Sequence, residues 1–114
     1  MTDHILGRDI AKDVAFSRPD AELLLGLCEA FMLDPETTSP CLRQVTSAVI
    51  DIIAHSLKGS APNVIVPLNT YGASVAQTAF CAEACAIGNV DDATFGRIAR
   101  ALFCRMWRLG EPKE

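Results

Sequence analysis

Several absences narrow what this 114-residue chain can be, and no residue pattern in it matches a catalytic or cofactor-binding motif. No apolar run approaches the roughly 18 residues that a membrane-spanning helix needs, which argues against a membrane protein. No CxxC pair and no regular cysteine spacing occurs, which argues against a disulfide scaffold. Aromatic residues make up only 6% of the chain, so the core must be built from Leu, Ile, Val and Ala.

Half of the residues are apolar, which is more than solubility requires in a chain of this length. We predict a single domain over residues 1–114 whose core is modest in size. Two of the predicted helices, over residues 17–33 and 70–87, are apolar on nearly every side. Because a small bundle cannot easily enclose two such helices, we expect the chain to form a homo-oligomer.

Helix caps and apolar periodicity predict five helices. The first has Asp3 as its cap, with Leu6, Ile10 and Val14 recurring at every fourth residue. The next two begin at Ser17 and at Ser39, each with a proline in the first turn, and the third ends at Gly59. The fourth begins at Asn69 or Thr70 and ends at Gly88, and the fifth runs from Asp91 and Asp92 to Gly110.

The segment between the third and fourth helices, residues 60–70, is apolar and contains Pro62 and Pro67. Prolines of this kind argue against a central strand, so we expect the segment to lie across the helices in extended form. The predicted fold class is therefore all-α: a compact bundle of four to five helices with one extended, proline-bounded, apolar linker.

Charge is segregated along the chain. Residues 1–92 contain five Lys or Arg and twelve Asp or Glu, whereas residues 93–114 contain five and two. Helical geometry places Cys104 opposite the apolar side of the last helix, among Arg97, Arg100 and Arg108, with Trp107 between the two faces. A basic face on an acidic chain indicates a partner that carries negative charge.

These features lead us to favour a non-enzymatic binding or regulatory protein that occludes or sequesters a protein partner, such as an adaptor, an immunity protein or a phage-type inhibitor. Arginine beside tryptophan is a common composition of protein interfaces. The alternative is a sponge or sensor for a phosphorylated small molecule, with Arg97, Arg100 and Arg108 on the phosphate and Trp107 or Tyr71 stacking on the ligand. The acidic remainder of the chain and the absence of a helix-turn-helix pattern argue against DNA.

A third possibility is a thiol-dependent enzyme or redox sensor. Cys41 lies in the first turn of a predicted helix, where backbone N–H groups stabilise a thiolate, and it is the candidate reactive thiol together with Cys104. The other three cysteines, Cys28, Cys81 and Cys85, lie in apolar helical segments, where a free thiol packs as a small hydrophobe. Unpaired cysteines of this kind indicate a reducing compartment, and we expect the protein in the cytoplasm.

No cofactor and no metal is expected. Cys81 and Cys85 share a helical face, but a closed zinc site needs two more ligands, and neither His55 nor Cys28 stands at a recognisable spacing from them. Asp51 and His55 form an i, i+4 pair of the kind that most often makes a surface contact. Glu83 is the only charge in its helix, and we expect it to pair with Arg97 or Arg105 of the last helix.

Overall fold

The computed structural model describes residues 11–34, 39–88 and 90–108. In chain order its elements are β1 (Lys12–Ser17), α1 (Arg18–Leu33), α2 (Pro40–Ser56), β2 (Asn63–Leu68), α3 (Thr70–Ile87) and α4 (Asp92–Arg108). The described part of the chain is mostly helical, but it also contains a sheet of two antiparallel strands.

The all-α prediction is therefore wrong. Val14, which we assigned to a first helix, lies in β1 opposite Val66 of β2; Leu6 and Ile10 of that predicted helix lie outside the described residues. The apolar linker is extended, as expected, but it is a strand and not a single crossing segment. The two strands alternate between buried and exposed residues, and their inward side chains are Val14, Phe16, Val64, Val66 and Leu68. Because one face of each strand is buried, the apolar side chains follow the two-residue period of a strand and not the spacing of a helix.

The four helix starts follow from local capping. Ser17 and Asn69 accept hydrogen bonds from the third N–H group of α1 and α3, and Ser39 does the same at α2. Asp91 accepts from Thr94 N at 3.3 Å at the start of α4. Each cap satisfies a backbone donor that the helix leaves unpaired. The helix starts predicted at Ser17, Ser39, Asn69 and Asp91 are therefore confirmed.

The elements form two similar β-α-α units, of which unit 1 is β1-α1-α2 and unit 2 is β2-α3-α4. The caps correspond one to one, because Ser17 and Asn69, like Ser39 and Asp91, are 52 residues apart. The strands pair antiparallel with the equivalent residues Val14 and Val66 opposite each other. Packing follows the same pattern, since α2 packs on β2 and α4 packs on β1. The units are therefore related by an approximate two-fold axis through that residue pair.

The two central helices explain the apolar excess without a second copy. The helices α1 and α3 pack on each other, and each buries equivalent positions completely, with Ala21 matching Ala73 and Leu24 matching Ala76. All six elements contribute to one core cluster. Because α1 and α3 lie between other elements, most of their broad apolar surface is covered within one chain, and Leu33 and Ile87 in their last turns are exposed.

The approximate symmetry is broken at one pair of equivalent positions. Gly72 of α3 lies close to α2, where an added Cβ would be 3.6 Å from Val49 Cγ2. Its counterpart in unit 1 is Asp20 of α1, which instead forms an ion pair with Arg97 of α4. Accordingly, α2 packs extensively on α3, whereas α1 and α4 have little direct contact. A small residue permits close helix packing on one side, and a charged pair bridges a wider separation on the other.

Candidate functional site

The arginines of α4 do not share one exposed face. Arg97 and Arg100 are exposed, whereas Arg105 is buried among the apolar residues of the core. Trp107 and Arg108 end the helix, and their side chains lie outside the described part of the structure. The arginines that lie close together in the sequence are therefore in different environments, some exposed and one buried.

Arg97 forms a two-pronged ion pair with Asp20. Its Nε lies 2.9 Å from Oδ2 and its Nη2 lies 3.1 Å from Oδ1, while Nη2 also donates to Thr94 Oγ1 at 3.2 Å. The Asp20 side chain is only 8% exposed, so its charge requires such a partner. The hydrogen bonds from Arg97 to that carboxylate, and its charge, raise the pKa of the guanidinium. The predicted pairing of Glu83 with Arg97 is wrong, because the guanidinium of Arg97 forms its ion pair with Asp20.

Arg105 connects the end of α4 to the end of β2. Its Nε donates to the Leu68 carbonyl at 2.7 Å. Because α3 begins two residues after Leu68, this bond places the last turns of α4 beside the start of α3. Sequence analysis considered Arg105 only as a partner for Glu83, since nothing in a helical pattern places its guanidinium beside the Leu68 carbonyl.

Two aromatic side chains are exposed at this end of the molecule. Tyr71, in the first turn of α3, is 55% exposed, and Phe103 of α4 is 48% exposed. Arg100 and Cys104 are exposed on the same outer side of α4. We call Tyr71, Arg100, Phe103 and Cys104 the α4 surface. Tyr71, Arg100 and Cys104 are residues predicted to bind a ligand or partner, and the described structure leaves them accessible together with Arg97; Phe103 was not among those predicted.

Unit 1 provides a built-in comparison for this surface. The positions equivalent to Arg100, Phe103 and Cys104 are Ala48, Asp51 and Ile52 of α2, and Pro19 stands where Tyr71 does. The two units form the same elements with these different residues. The fold therefore does not require an exposed aromatic or a cation at these positions.

The cysteines fall into buried and accessible groups, and none of the five is in a disulfide. Burial raises the pKa of the Cys28 thiol to about 12, so this thiol stays protonated at neutral pH. The pKa of Cys81 is also raised, first by burial and then by the neighbouring Cys85. Cys41 and Cys104 are exposed, which leaves the prediction of a reactive thiol at Cys41 standing but untested.

A metal site finds no support among the described residues, where no group of three or more His, Cys, Asp or Glu side chains comes together. Asp51 and His55 are both exposed on α2. Gln77 of α3 has a buried Oε1 with no hydrogen-bond partner in the described structure. No helix of the described chain is long and apolar enough to cross a membrane.

One open depression lies between the end of α1 and the start of α2. It measures about 460 Å³ and is lined by Met32, Pro40, Arg43, Gln44 and Ser47. Its lining combines polar and apolar side chains but brings together no nucleophile and base. Sequence analysis did not single out this place, because its residues come from two helices and carry no shared pattern.

Fold and surface together define a mostly helical α+β protein with an approximate internal two-fold. Comparison with protein-family models, with curated proteins and with solved structures finds no match.

Proposed function

We propose that this chain is a non-enzymatic binding protein that occludes or sequesters a protein partner through the α4 surface. The observation that carries the proposal is the exposure of Tyr71 and Phe103 at one end of the molecule, in a chain that has few aromatic residues. Large aromatic side chains are costly to leave in water and are enriched in the energetic centres of protein interfaces.

The neighbouring residues support a partner that carries negative charge. Arg100 is exposed beside Phe103, and α4 contains no acidic residue after Asp92. Arginine with aromatic residues is the composition that protein interfaces favour over the rest of the surface. The sponge for a phosphorylated small molecule is less favoured, because it needs Arg97 for the phosphate and Asp20 already occupies that guanidinium.

The absence of a disulfide supports placement in a reducing compartment, and we propose the cytoplasm. The thiol-dependent alternative remains a hypothesis, since Cys41 and Cys104 are both exposed. Homo-oligomerisation also remains a proposal, although the central packing of α1 and α3 removes the reason that the sequence offered for it.

The test is affinity purification of the tagged full-length chain from its native cells, followed by quantitative mass spectrometry. The variant Arg100→Glu with Phe103→Ala is compared with the matched control Ala48→Glu with Asp51→Ala, which changes the equivalent positions of unit 1. We expect a protein that the wild type and the control retain at least about tenfold better than the α4 variant, as expected from losing one interface hot spot.

If the wild type and both variants retain the same proteins to the same extent, the α4 surface is not a partner site. A titration of the purified chain with inorganic phosphate and with a nucleotide separates the alternative. Binding that Arg100→Glu abolishes and the Ala48→Glu control keeps would favour the small-molecule function instead.

A further inference from the structure

The sheet has two outer edges, and they are protected differently. In an antiparallel pair, alternate residues direct their backbone N–H and C=O groups toward the partner strand and the others direct them outward. Arg18 N donates to the Pro62 carbonyl at 2.8 Å, which continues the ladder beyond the last strand residues. With the register of Val14 opposite Val66, the even-numbered residues of β1 bond to β2, and Asp13 and Ala15 direct their backbone groups outward.

The outer edge of β2 contains Pro67, and a proline has no N–H group to offer. Pro67 lies opposite Asp13, at one of the outward positions, so it removes a donor from this edge without disturbing the ladder. Proline at such a place is a known protection against pairing with another chain. The edge of β1 contains no proline, Asp13 and Ala15 are both exposed, and no third strand lies beside it in the described residues.

We propose that two copies of this chain associate through the outer edges of β1, which makes a four-stranded antiparallel sheet across a two-fold axis. An edge of this kind is complementary to itself, because each outward N–H of one copy meets an outward C=O of the other. The proline in β2 blocks growth beyond two copies, so the assembly closes as a dimer and does not continue as a fibre. This proposal is independent of the α4 surface, which lies on other elements.

Charge selects one register for this pairing. A register that places Asp13 opposite Asp13 of the second copy brings two carboxylates together. A register that places Asp13 opposite Ser17 of the second copy brings two cations, Lys12 and Arg18, opposite each other. The register that places Asp13 opposite Ala15 of the second copy opposes no like charges. Ala15 is small, and within its own chain it faces only the exposed Ile65 across the ladder.

The register predicts how the dimer responds to charge at residue 15. The molecular mass of the full chain is measured by sedimentation equilibrium over a concentration series for the wild type, Ala15→Lys and Ala15→Glu. Because each dimer contains two such cross-strand pairs with Asp13, we expect lysine to tighten the dimer about fivefold and glutamate to weaken it about fivefold. Adding Asp13→Lys to Ala15→Glu should restore the dimer.

Matched controls come from the other strand. Ile65→Lys and Ile65→Glu place the same two charges on the same exposed face, at the residue opposite Ala15. Unlike the two Ala15 variants, they should not change the dissociation constant of the dimer in opposite directions. All these side chains are exposed, so circular dichroism and the melting temperature should report an unchanged fold. A mass of one chain at every concentration up to about 1 mM would overturn the proposal, as would a dimer whose dissociation constant is the same for Ala15→Lys and Ala15→Glu.

Discussion

Arg18 should contribute more to stability than Arg100, an exposed arginine on the surface of α4. Its guanidinium donates to three backbone carbonyls of the connection between α2 and β2: Nε to Ala61 at 2.8 Å, Nη1 to Leu57 at 3.0 Å and Nη2 to Gly59 at 3.1 Å. These bonds hold together the point at which unit 1 passes into unit 2. They also satisfy a carbonyl at the end of α2, where a cation interacts favourably with the helix dipole.

Arg18→Ala removes these three bonds and leaves the backbone bond from Arg18 N to Pro62 in place. A hydrogen bond to a charged group contributes about 1.5 to 3 kcal/mol, but two of the three are exposed to water and the bonds are not additive. We therefore expect the free energy of unfolding to fall by about 2 to 3 kcal/mol in total. For a chain of this size the melting temperature should fall by about 8 to 12 °C.

The assay is urea unfolding followed by circular dichroism, with Arg100→Ala as the control because Arg100 is an exposed helical arginine. Arg18→Lys should lose an intermediate amount, since an ammonium group cannot reach three carbonyls in the planar arrangement of a guanidinium. The loss should persist at high salt, because the acceptors are neutral carbonyls. If Arg18→Ala and Arg100→Ala change the unfolding free energy equally, Arg18 does not hold the connection.

Three further predictions concern other parts of the chain. Gly72→Ala should destabilise the fold by about 1 to 2 kcal/mol in thermal unfolding, because the added Cβ would lie 2.9 Å from Asn69 Oδ1 and disturb the cap of α3. Gly26→Ala is the control: an added Cβ there has no atom within 4 Å, so this change should stabilise the fold by about 0.5 to 1 kcal/mol. Hydrogen bonds from Thr94 lower the pKa of Asp91 below 3.8, so the stability that Asp91 contributes is present above that pH and lost as pH falls through the lowered value; unfolding curves of the wild type and Asp91→Ala should converge in acid. Burial raises the pKa of Cys28 to about 12, so this thiol should resist alkylation at pH 8 until the chain unfolds, whereas the exposed Cys41 should react in the folded protein. Equal alkylation rates for the two thiols would contradict the burial of Cys28.

The helix boundaries could be predicted because their causes are local. Ser17, Ser39 and Asn69 each cap a helix through a bond that spans three residues, and Gly88 ends α3 with a positive φ of 68° that glycine adopts without strain. The extended conformation of the apolar linker was also readable, because prolines and β-branched residues disfavour a helix there.

The sheet could not be predicted, because each of its strands is stabilised by a distant segment. Val14 fits a helical spacing with Leu6 and Ile10 as well as it fits a strand, and only its pairing with Val66 decides between them. The same reason hid the internal two-fold, since equivalent positions share burial and capping but few identical residues.

The exposed candidates were partly predictable and partly not. A helical pattern correctly places Arg100 and Cys104 on an outer face, because period alone determines which side of α4 they occupy. It cannot reveal that Asp20 lies within reach of Arg97, 77 residues away in the chain, or that Arg105 reaches the Leu68 carbonyl. The sequence by itself determined where the helices begin, because each cap is a bond between near neighbours. The tertiary structure alone decided the strand pairing and the contacts of each arginine, because both depend on groups that only folding brings together.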